Sequence, residues 1–113
     1  MASEAWKSFE RLVATCVGGE RRGANTSRNG VGRSDIIHEI LSTECKHLKS
    51  PQFGDLVDAL KQAESAANHE GGLPVAVVGQ RGKETLDAVV CMRLEVFREL
   101  IRRVPAIDLT PSK

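Results

Sequence analysis

Long apolar runs and paired cysteines are scarce in this sequence of 113 residues, and their scarcity excludes several classes of protein. No apolar run approaches the ~20 residues that a membrane-spanning helix needs, and the charged N-terminus lacks the apolar core of a signal peptide. The three cysteines, Cys16, Cys45 and Cys91, form no CxxC pair, which argues against a disulfide framework or a zinc site. We therefore expect no membrane partner and a cytoplasmic location, in the host cytoplasm if the chain is viral.

Acidic side chains are missing from residues 21–34, RRGANTSRNGVGRS. The whole chain is nearly balanced, with 16 Lys plus Arg against 15 Asp plus Glu, so overall composition does not indicate a nucleic-acid partner. The acid-free segment concentrates four arginines among glycines and small polar residues, namely Arg21, Arg22, Arg28 and Arg33. Such a segment can neutralise DNA phosphates, with Ser27 adding an uncharged contact and Lys49 extending the footprint. A solvated flexible loop is the competing interpretation.

Apolar periodicity predicts a single α/β domain over residues 1–113, in which residues 105–113 form a loose tail. The predicted elements, in chain order, are a helix over about 5–17, two antiparallel strands within 34–49, a helix from Pro51 to about 70, a central strand over 73–79, a buried strand over 86–92 and a helix over about 93–103. The second helix should bury a stripe that begins at Phe53. The last helix should bury Leu94, Phe97, Leu100, Ile101 and Val104.

The segment STECKHLKS, residues 42–50, holds an acid and an amine two positions apart. Alternate side chains of a strand share one face, so Glu44 and Lys46 are presented together. An exposed ion pair is the ordinary interpretation of such a pair. Asp35 begins the neighbouring strand and can lie beside Glu44, while Glu10 sits at the border of the first helix's apolar stripe, where a solvated glutamate is equally common.

Close carboxylates repel one another unless a divalent cation takes their oxygens, and Mg²⁺ favours one or two carboxylates with water and phosphate. An amine beside them can stabilise the charge that grows during attack on phosphorus. Glu10, Asp35, Glu44 and Lys46 together therefore indicate a site that cleaves phosphodiesters. The three histidines lack ligand spacing and read as ordinary residues, and Trp6 and Phe9 read as core or dimer-face residues.

The acids and the lysine also stand in a familiar order. Asp35, followed after nine residues by Glu44-Cys45-Lys46, resembles the PD-(D/E)xK signature of restriction-endonuclease-like nucleases, with Ser34 where proline often stands. The wider set resembles the archaeal-type Holliday junction resolvases, including phage versions, across most of residues 5–92. That set comprises Phe9-Glu10-Arg11, the basic stretch at Arg21 and Arg22, the Ser/Gly-rich loop, the Asp, the Glu-Cys-Lys and a following helix.

The resemblance implies a restriction-endonuclease-like core, with a central mixed β-sheet flanked by α-helices. It implies that Asp35 and Glu44 bind Mg²⁺, for which Mn²⁺ can substitute, and that Lys46 is the catalytic lysine. The Cys45 carbonyl is a further candidate ligand, and Glu10 would join the metal network directly or through water. Arg11 would support the site or contact phosphate, although a solvated arginine is equally common there.

The resemblance further implies a homodimer that cuts symmetrically related strands of a DNA four-way junction, in recombination, repair or phage DNA processing. The predicted sheet and helices use most of the chain and leave no separate module to read the major groove, which favours recognition of DNA structure over sequence. Two alternatives stay open: another nuclease of the same superfamily that nicks, repairs or restricts duplex DNA, and a DNA-binding subunit that does not cut.

Overall fold

The computed structural model describes residues 5–23 and 33–104. In chain order its elements are α1 (Ala5–Val17), β1 (Glu20–Arg21), β2 (Ile36–Ile37), β3 (Leu41–Leu48), α2 (Phe53–Glu70), β4 (Leu73–Gln80), a 3₁₀ turn (Thr85–Asp87), β5 (Val89–Cys91) and α3 (Leu94–Arg103). This arrangement confirms the predicted α/β class with a mixed, helix-flanked sheet. No helix within the described ranges is long and apolar enough to span a bilayer.

The five strands lie in the order β1-β2-β3-β4-β5. Strands β3 and β4 are parallel and pair along their whole length, and α2 supplies the crossover between them. All other neighbours are antiparallel. The pairing of β2 with β3 is confined to Ile36 opposite Thr43. Among the described residues, β3 is therefore an open edge on its β2 side from Glu44 to Leu48.

The core has one layer on each face of the sheet. On one face, α1 buries Phe9, Val13 and Ala14 against Cys45 and Val77. A Cβ atom at position 79 would overlap the Phe9 ring, so Gly79 lets α1 approach β4 closely. On the other face, α2 packs Ala59 and Leu60 against Ala76 and Val78. The sheet thus lies between two helices, with β3 as its central strand.

Helix α2 starts two residues later than the sequence pattern predicts. The Gln52 backbone N–H donates to the Asp55 carboxylate over 2.8 Å, which caps the first turn and starts the helix at Phe53 instead of Pro51. Phe53 is 80% exposed, so its assignment to the buried stripe is wrong. At the other end, Gly71 has a φ of 82°, a backbone conformation that ends the helix where the glycine pair predicts.

The C-terminal elements differ most from the prediction. Residues 86–92 were expected to form a buried strand, but β5 covers three residues and exposes Val89 and Val90. Helix α3 buries Val96, whereas the predicted core residues Leu94, Phe97, Ile101 and Val104 are exposed and Leu100 is half-buried. Apolar periodicity identifies an amphipathic face without specifying what covers it. The tail predicted over 105–113 lies outside the described residues.

Candidate active site

A cavity of about 260 Å³ opens at the unpaired edge of β3. It is lined by Trp6, Phe9, Glu10, Asp35, Glu44, Cys45, Lys46, His47 and Leu48. Three separate segments therefore meet here: α1, the residue before β2, and β3 itself. The structure brings all four of the sequence-predicted catalytic residues to this one cavity.

Asp35 is positioned by two hydrogen bonds to β3. Its backbone N–H donates to the Thr43 carbonyl oxygen over 2.8 Å, and its Oδ2 accepts from the Cys45 N–H over 2.8 Å. If β2 were longer, one of its backbone carbonyl oxygens would accept the Cys45 N–H. The Asp35 carboxylate accepts that hydrogen bond instead. The N–H and C=O of one strand residue point to the same side, so the Cys45 carbonyl oxygen faces this open edge as well.

Glu44 and Lys46 lie on one face of β3, as the strand alternation predicts. The distance from Lys46 Nζ to Glu44 Oε2 is 3.4 Å. The Glu44 side chain is 11% exposed and that of Lys46 is 33% exposed. The acid is therefore held inside the site, whereas the amine borders solvent and can reach a bound substrate.

Glu10 is buried and held by Arg21. The Arg21 Nε–H donates to Glu10 Oε1 over 2.8 Å, and the guanidinium carbon lies 5.4 Å from the centroid of the Trp6 ring. Guanidinium groups stack on aromatic faces while they donate in their own plane, so the two contacts orient Arg21 together. Glu10 is consequently not the solvated boundary residue that the sequence left open, and Arg21, a predicted DNA contact, supports this acid in the described structure.

Burial disfavours the charged form of each acid in the cavity. It raises the pKa of Glu10, and the nearby Asp35 carboxylate raises that pKa further. It also raises the pKa of Asp35 against the hydrogen bond from the Cys45 N–H, which lowers it. Burial first, and the Asp35 charge second, raise the pKa of Glu44 to about 7 despite the opposing Lys46 charge. Three neighbouring acids with raised pKa values mark a candidate functional site.

The donor set fits a hard cation that needs few protein ligands. Across residues 5–23 and 33–104, no three His, Cys, Asp or Glu side chains form a group able to hold a metal ion. That excludes a closed all-side-chain cage from this part of the chain, but Mg²⁺ is ordinarily held by one or two carboxylates, with waters and substrate oxygens completing the shell. Asp35, Glu44 and the Cys45 carbonyl supply oxygens alone, the ligand type that Mg²⁺ and Mn²⁺ prefer over zinc.

Glu70, at the end of α2, fixes the chain on both sides of residues 24–32. Its carboxylate accepts from Arg22 Nη2 and from the Ser34 N–H, each over 2.6 Å. Arg22 Nε also donates to the Ser34 carbonyl oxygen over 2.8 Å. Proline at position 34 would have no N–H to offer Glu70. This contact gives a physical reason for a residue other than proline at position 34.

The remaining DNA-binding predictions fall in different places. Ser27 and Arg28 lie outside the described residues. Arg33 and Lys49 are exposed, as is Arg11 on α1. Arg22 is turned toward Ser34 and Glu70, so its terminal nitrogens take part in the contacts just described. DNA contact by these side chains stays a prediction.

Three aromatic side chains of the cavity, Trp6, Phe9 and His47, were assigned no role there from the sequence. The rings of Phe9 and His47 stack with their centroids 5.0 Å apart, and burial, followed by the Arg81 charge, lowers the pKa of His47. A signal was present in the sequence: His47 follows Cys45 by two residues and so shares the face that α1 covers. Trp6 precedes Glu10 by one helical turn, which places both at the cavity.

Comparisons of this chain with protein-family models, with curated proteins and with solved structures find no match. The functional assignment therefore depends on the residues of the chain and on their arrangement.

Proposed function

We propose that this chain is a Mg²⁺-dependent endodeoxyribonuclease with a restriction-endonuclease-like core, acting as a homodimeric Holliday junction resolvase. The observation that carries the proposal is the meeting of Glu10, Asp35 and Glu44 with Lys46 at the open edge of β3. Burying several acids together opposes folding, and residues that conflict with stability concentrate at functional sites. A divalent cation would offset the repulsion among these carboxylates.

Each residue has a definite part in the proposed hydrolysis. Asp35, Glu44 and the Cys45 carbonyl would hold Mg²⁺, which supplies Lewis-acid polarisation of the phosphoryl group when bound. Lys46 would orient the attacking water and stabilise the negative charge that develops on the phosphoryl oxygens. The water oxygen would bond to phosphorus as one P–O ester bond breaks; a proton of the water would pass to solvent, and the departing sugar oxygen would take up a proton from solvent, which leaves a phosphate monoester and a sugar hydroxyl. Glu10, oriented by Arg21, would support the cation directly or through water.

The basic segment supports DNA as the substrate. Arg33 is exposed and stands two residues before Asp35, so its guanidinium can contact a phosphate close to the acids. Lys49 is exposed one residue beyond the end of β3. Both flank the cavity along the chain, and both belong to the footprint predicted from the sequence. A cytoplasmic location accords with the unpaired cysteines.

The test compares cleavage of a four-way junction with cleavage of linear duplex of identical sequence in Mg²⁺. We expect paired cuts in the junction by the full chain. Lys46→Ala should still bind the junction but should not cut it, while Lys61→Ala, an exposed lysine of α2, should cut normally.

Other results would redirect the assignment. Equal cutting of both substrates would identify a duplex nuclease of the same superfamily. Junction binding by the unmodified chain without cleavage in Mg²⁺ or Mn²⁺ would identify a non-cutting DNA-binding subunit. Cleavage that survives Lys46→Ala would show that the catalytic assignment is wrong.

A further inference from the structure

The backbone of β3 beyond Cys45 has an unpaired donor on its open side. The Thr43 carbonyl oxygen and the Cys45 N–H both bond to Asp35, each over 2.8 Å. Successive residues of a strand direct their backbone groups to opposite sides, so His47 directs its N–H to the same side as Cys45. The ladder between β2 and β3 does not extend that far. Among the described residues, the His47 N–H therefore has no acceptor.

The opposite side of β3 confirms this direction. The Leu48 carbonyl oxygen accepts from the Arg81 N–H over 2.8 Å, at the end of β4. The Ile40 carbonyl oxygen accepts from the Leu73 N–H over the same distance, at the start of β4. Even-numbered residues of this stretch thus bond to β4, and odd-numbered residues face the open edge. The cavity that holds the acids is lined as far as His47 and Leu48, so the open stretch lies along it.

Two cations lie at this end of the sheet. The parallel register sets His47 opposite Gly79, so Arg81, two residues further along, starts from the face that carries the imidazole. Burial, and then the Arg81 charge, lower the pKa of that imidazole. The Lys49 carbonyl oxygen accepts from Gln80 Nε2 over 3.2 Å, which holds Lys49 beside the end of β4. The side chains of Lys49 and Arg81 are both exposed.

The neighbouring acids leave these two cations unpaired. None of the ion pairs among the described residues includes Arg81 or Lys49. Asp55 caps the first turn of α2, and Asp87 lines a cavity beside that helix. Glu84 is exposed and forms no ion pair with Arg81. Both cations are therefore free to contact an anion.

An unpaired N–H beside two cations is suited to a phosphate. Backbone N–H groups and the side chains of Arg and Lys make many of the contacts between proteins and DNA phosphates. His47 lies two residues beyond Cys45, which is about 7 Å along β3. Neighbouring phosphates of one DNA strand have a similar separation. A phosphate held at the acids would therefore bring the next phosphate of the same strand to the His47 N–H.

We propose that the His47 N–H, Arg81 and Lys49 form a second phosphate subsite, which binds the DNA phosphate next to the scissile one. The strand then runs along the open edge of β3. The proposal rests on the proposed function for its ligand, but its test measures binding whereas the proposed function is tested by cleavage. Binding through the subsite without cleavage would keep this proposal alone, and cleavage without the subsite would keep the function alone.

The probe is a four-way junction with a single methylphosphonate, an uncharged replacement for phosphate, placed in turn at each position near the branch point. Fluorescence anisotropy in Ca²⁺ measures the Kd. At one position the methylphosphonate should raise the Kd of the unmodified chain about tenfold, because a charge-assisted contact is lost. The same methylphosphonate should have almost no effect on Arg81→Ala or Lys49→Ala, whose contact is already missing. Arg98→Ala and Lys61→Ala, which remove exposed cations from α3 and α2, should keep the full tenfold penalty.

The backbone donor is tested by His47→Pro against His47→Ala. Proline removes the N–H on the open edge and no hydrogen bond to β4, whereas alanine keeps that N–H. With native circular dichroism, His47→Pro should raise the Kd for the unmodified junction about fivefold more than His47→Ala does. If His47→Pro does not fold, the methylphosphonate scan decides alone. The proposal is overturned if no position couples to both Arg81 and Lys49, or if the coupled phosphate is not adjacent to the one that the chain cuts in Mg²⁺.

Discussion

The edge of β3 buries acidic groups, whereas the outer side of α3 exposes apolar ones. Both arrangements oppose folding. At the first, three carboxyl groups are drawn into a cavity where burial raises their pKa values. At the second, the apolar side chains of Leu94, Phe97, Ile101 and Val104 remain exposed on α3. Water would solvate the acids, and a core would shelter the apolar groups. Each surface therefore carries groups whose placement opposes folding, and the proposed function assigns a cation and its substrate to the first.

The largest effect is expected when one of the buried acids at the β3 edge is removed. Glu44→Ala should lower the rate of junction cleavage at least ~10³-fold, because it removes a proposed cation ligand as well as the carboxylate next to Lys46. Calorimetric titration with Mg²⁺ should lose its binding heat in the same variant. Asp58→Ala, which removes an exposed acid from α2, is the control and should keep both. Undiminished cleavage by Glu44→Ala would return the β3 edge to a structural role.

Phe9 and Phe97 test whether the apolar side chains of α1 are buried and those of α3 exposed. Phe9 is buried between α1 and the sheet and stacks on His47, so Phe9→Ala should lower the free energy of unfolding by about 3–5 kcal/mol. Phe97→Ala should change it by less than ~0.5 kcal/mol, because Phe97 is exposed on α3. Fluorescence-detected urea denaturation measures both. Equal costs would mean that α3 packs into the monomer.

The Ser34 N–H tests the contact that holds the approach to Asp35. Ser34→Pro should cost roughly 1.5–3 kcal/mol of unfolding free energy, because Glu70 loses a hydrogen bond to a buried donor. Ser34→Ala keeps that N–H and should cost less, since it loses the hydroxyl contact to the Ile36 carbonyl oxygen at 3.1 Å and two longer hydroxyl contacts, to Glu70 Oε2 at 3.4 Å and from Arg22 Nη2 at 3.5 Å. Thermal denaturation of both variants distinguishes them. A proline variant as stable as the original would show that Glu70 does not secure this segment.

The raised pKa of Glu44 predicts that the metal-free protein loses stability as pH rises. The folded state holds this proton up to about pH 7, whereas the unfolded chain releases it near the ordinary value of 4.5. The folded state therefore binds more protons between these values, and the Glu44 contribution falls across that window as pH increases. Glu44→Gln should make the free energy of unfolding fall less with pH. At pH 8 it should raise that free energy by on the order of 1–2 kcal/mol relative to the unmodified chain.

Thermal melts from pH 4.5 to 8 in chelator, with and without added Mg²⁺, measure this effect. Mg²⁺ should restore the melting temperature of the unmodified chain at pH 8, because a cation favours the ionised acids. It should not raise that of Glu44→Gln to the same extent. A melting temperature that climbs steadily to pH 8 in chelator would contradict the assigned direction of the shift.

Local rules predicted the parts of the site that local geometry determines. Strand alternation placed Glu44 beside Lys46, and a short hairpin brought Asp35 to the same strand. The pairing of Arg21 with Glu10 and the reach of Glu70 to Ser34 could not be predicted in this way. Those contacts join residues of different elements, α1 with β1 and α2 with the segment before β2, and their geometry depends on how the helices pack on the sheet.

The errors at the C-terminal end have a related cause. Val89, Val90 and the exposed apolar residues of α3 follow regular apolar patterns, so burial was the natural expectation. An apolar pattern records that a surface favours exclusion from water, and it is the same whether the covering surface is in this chain or in another. For β4, which is flanked by β3 and β5 and packed by both α1 and α2, the expectation of burial was right.

The contact between Gly79 and Phe9 should be detectable in the sequences of related proteins. Any side chain at position 79 would have to occupy the volume of the Phe9 ring, so a larger residue on β4 requires a smaller one on α1. Sequences that share this architecture should vary at these two positions together. Gly79 and Phe9 belong to the packing of α1 on the sheet and are not among the acids of the cavity. Covariation at these two positions would therefore identify related proteins even where the acids of the β3 edge have been replaced.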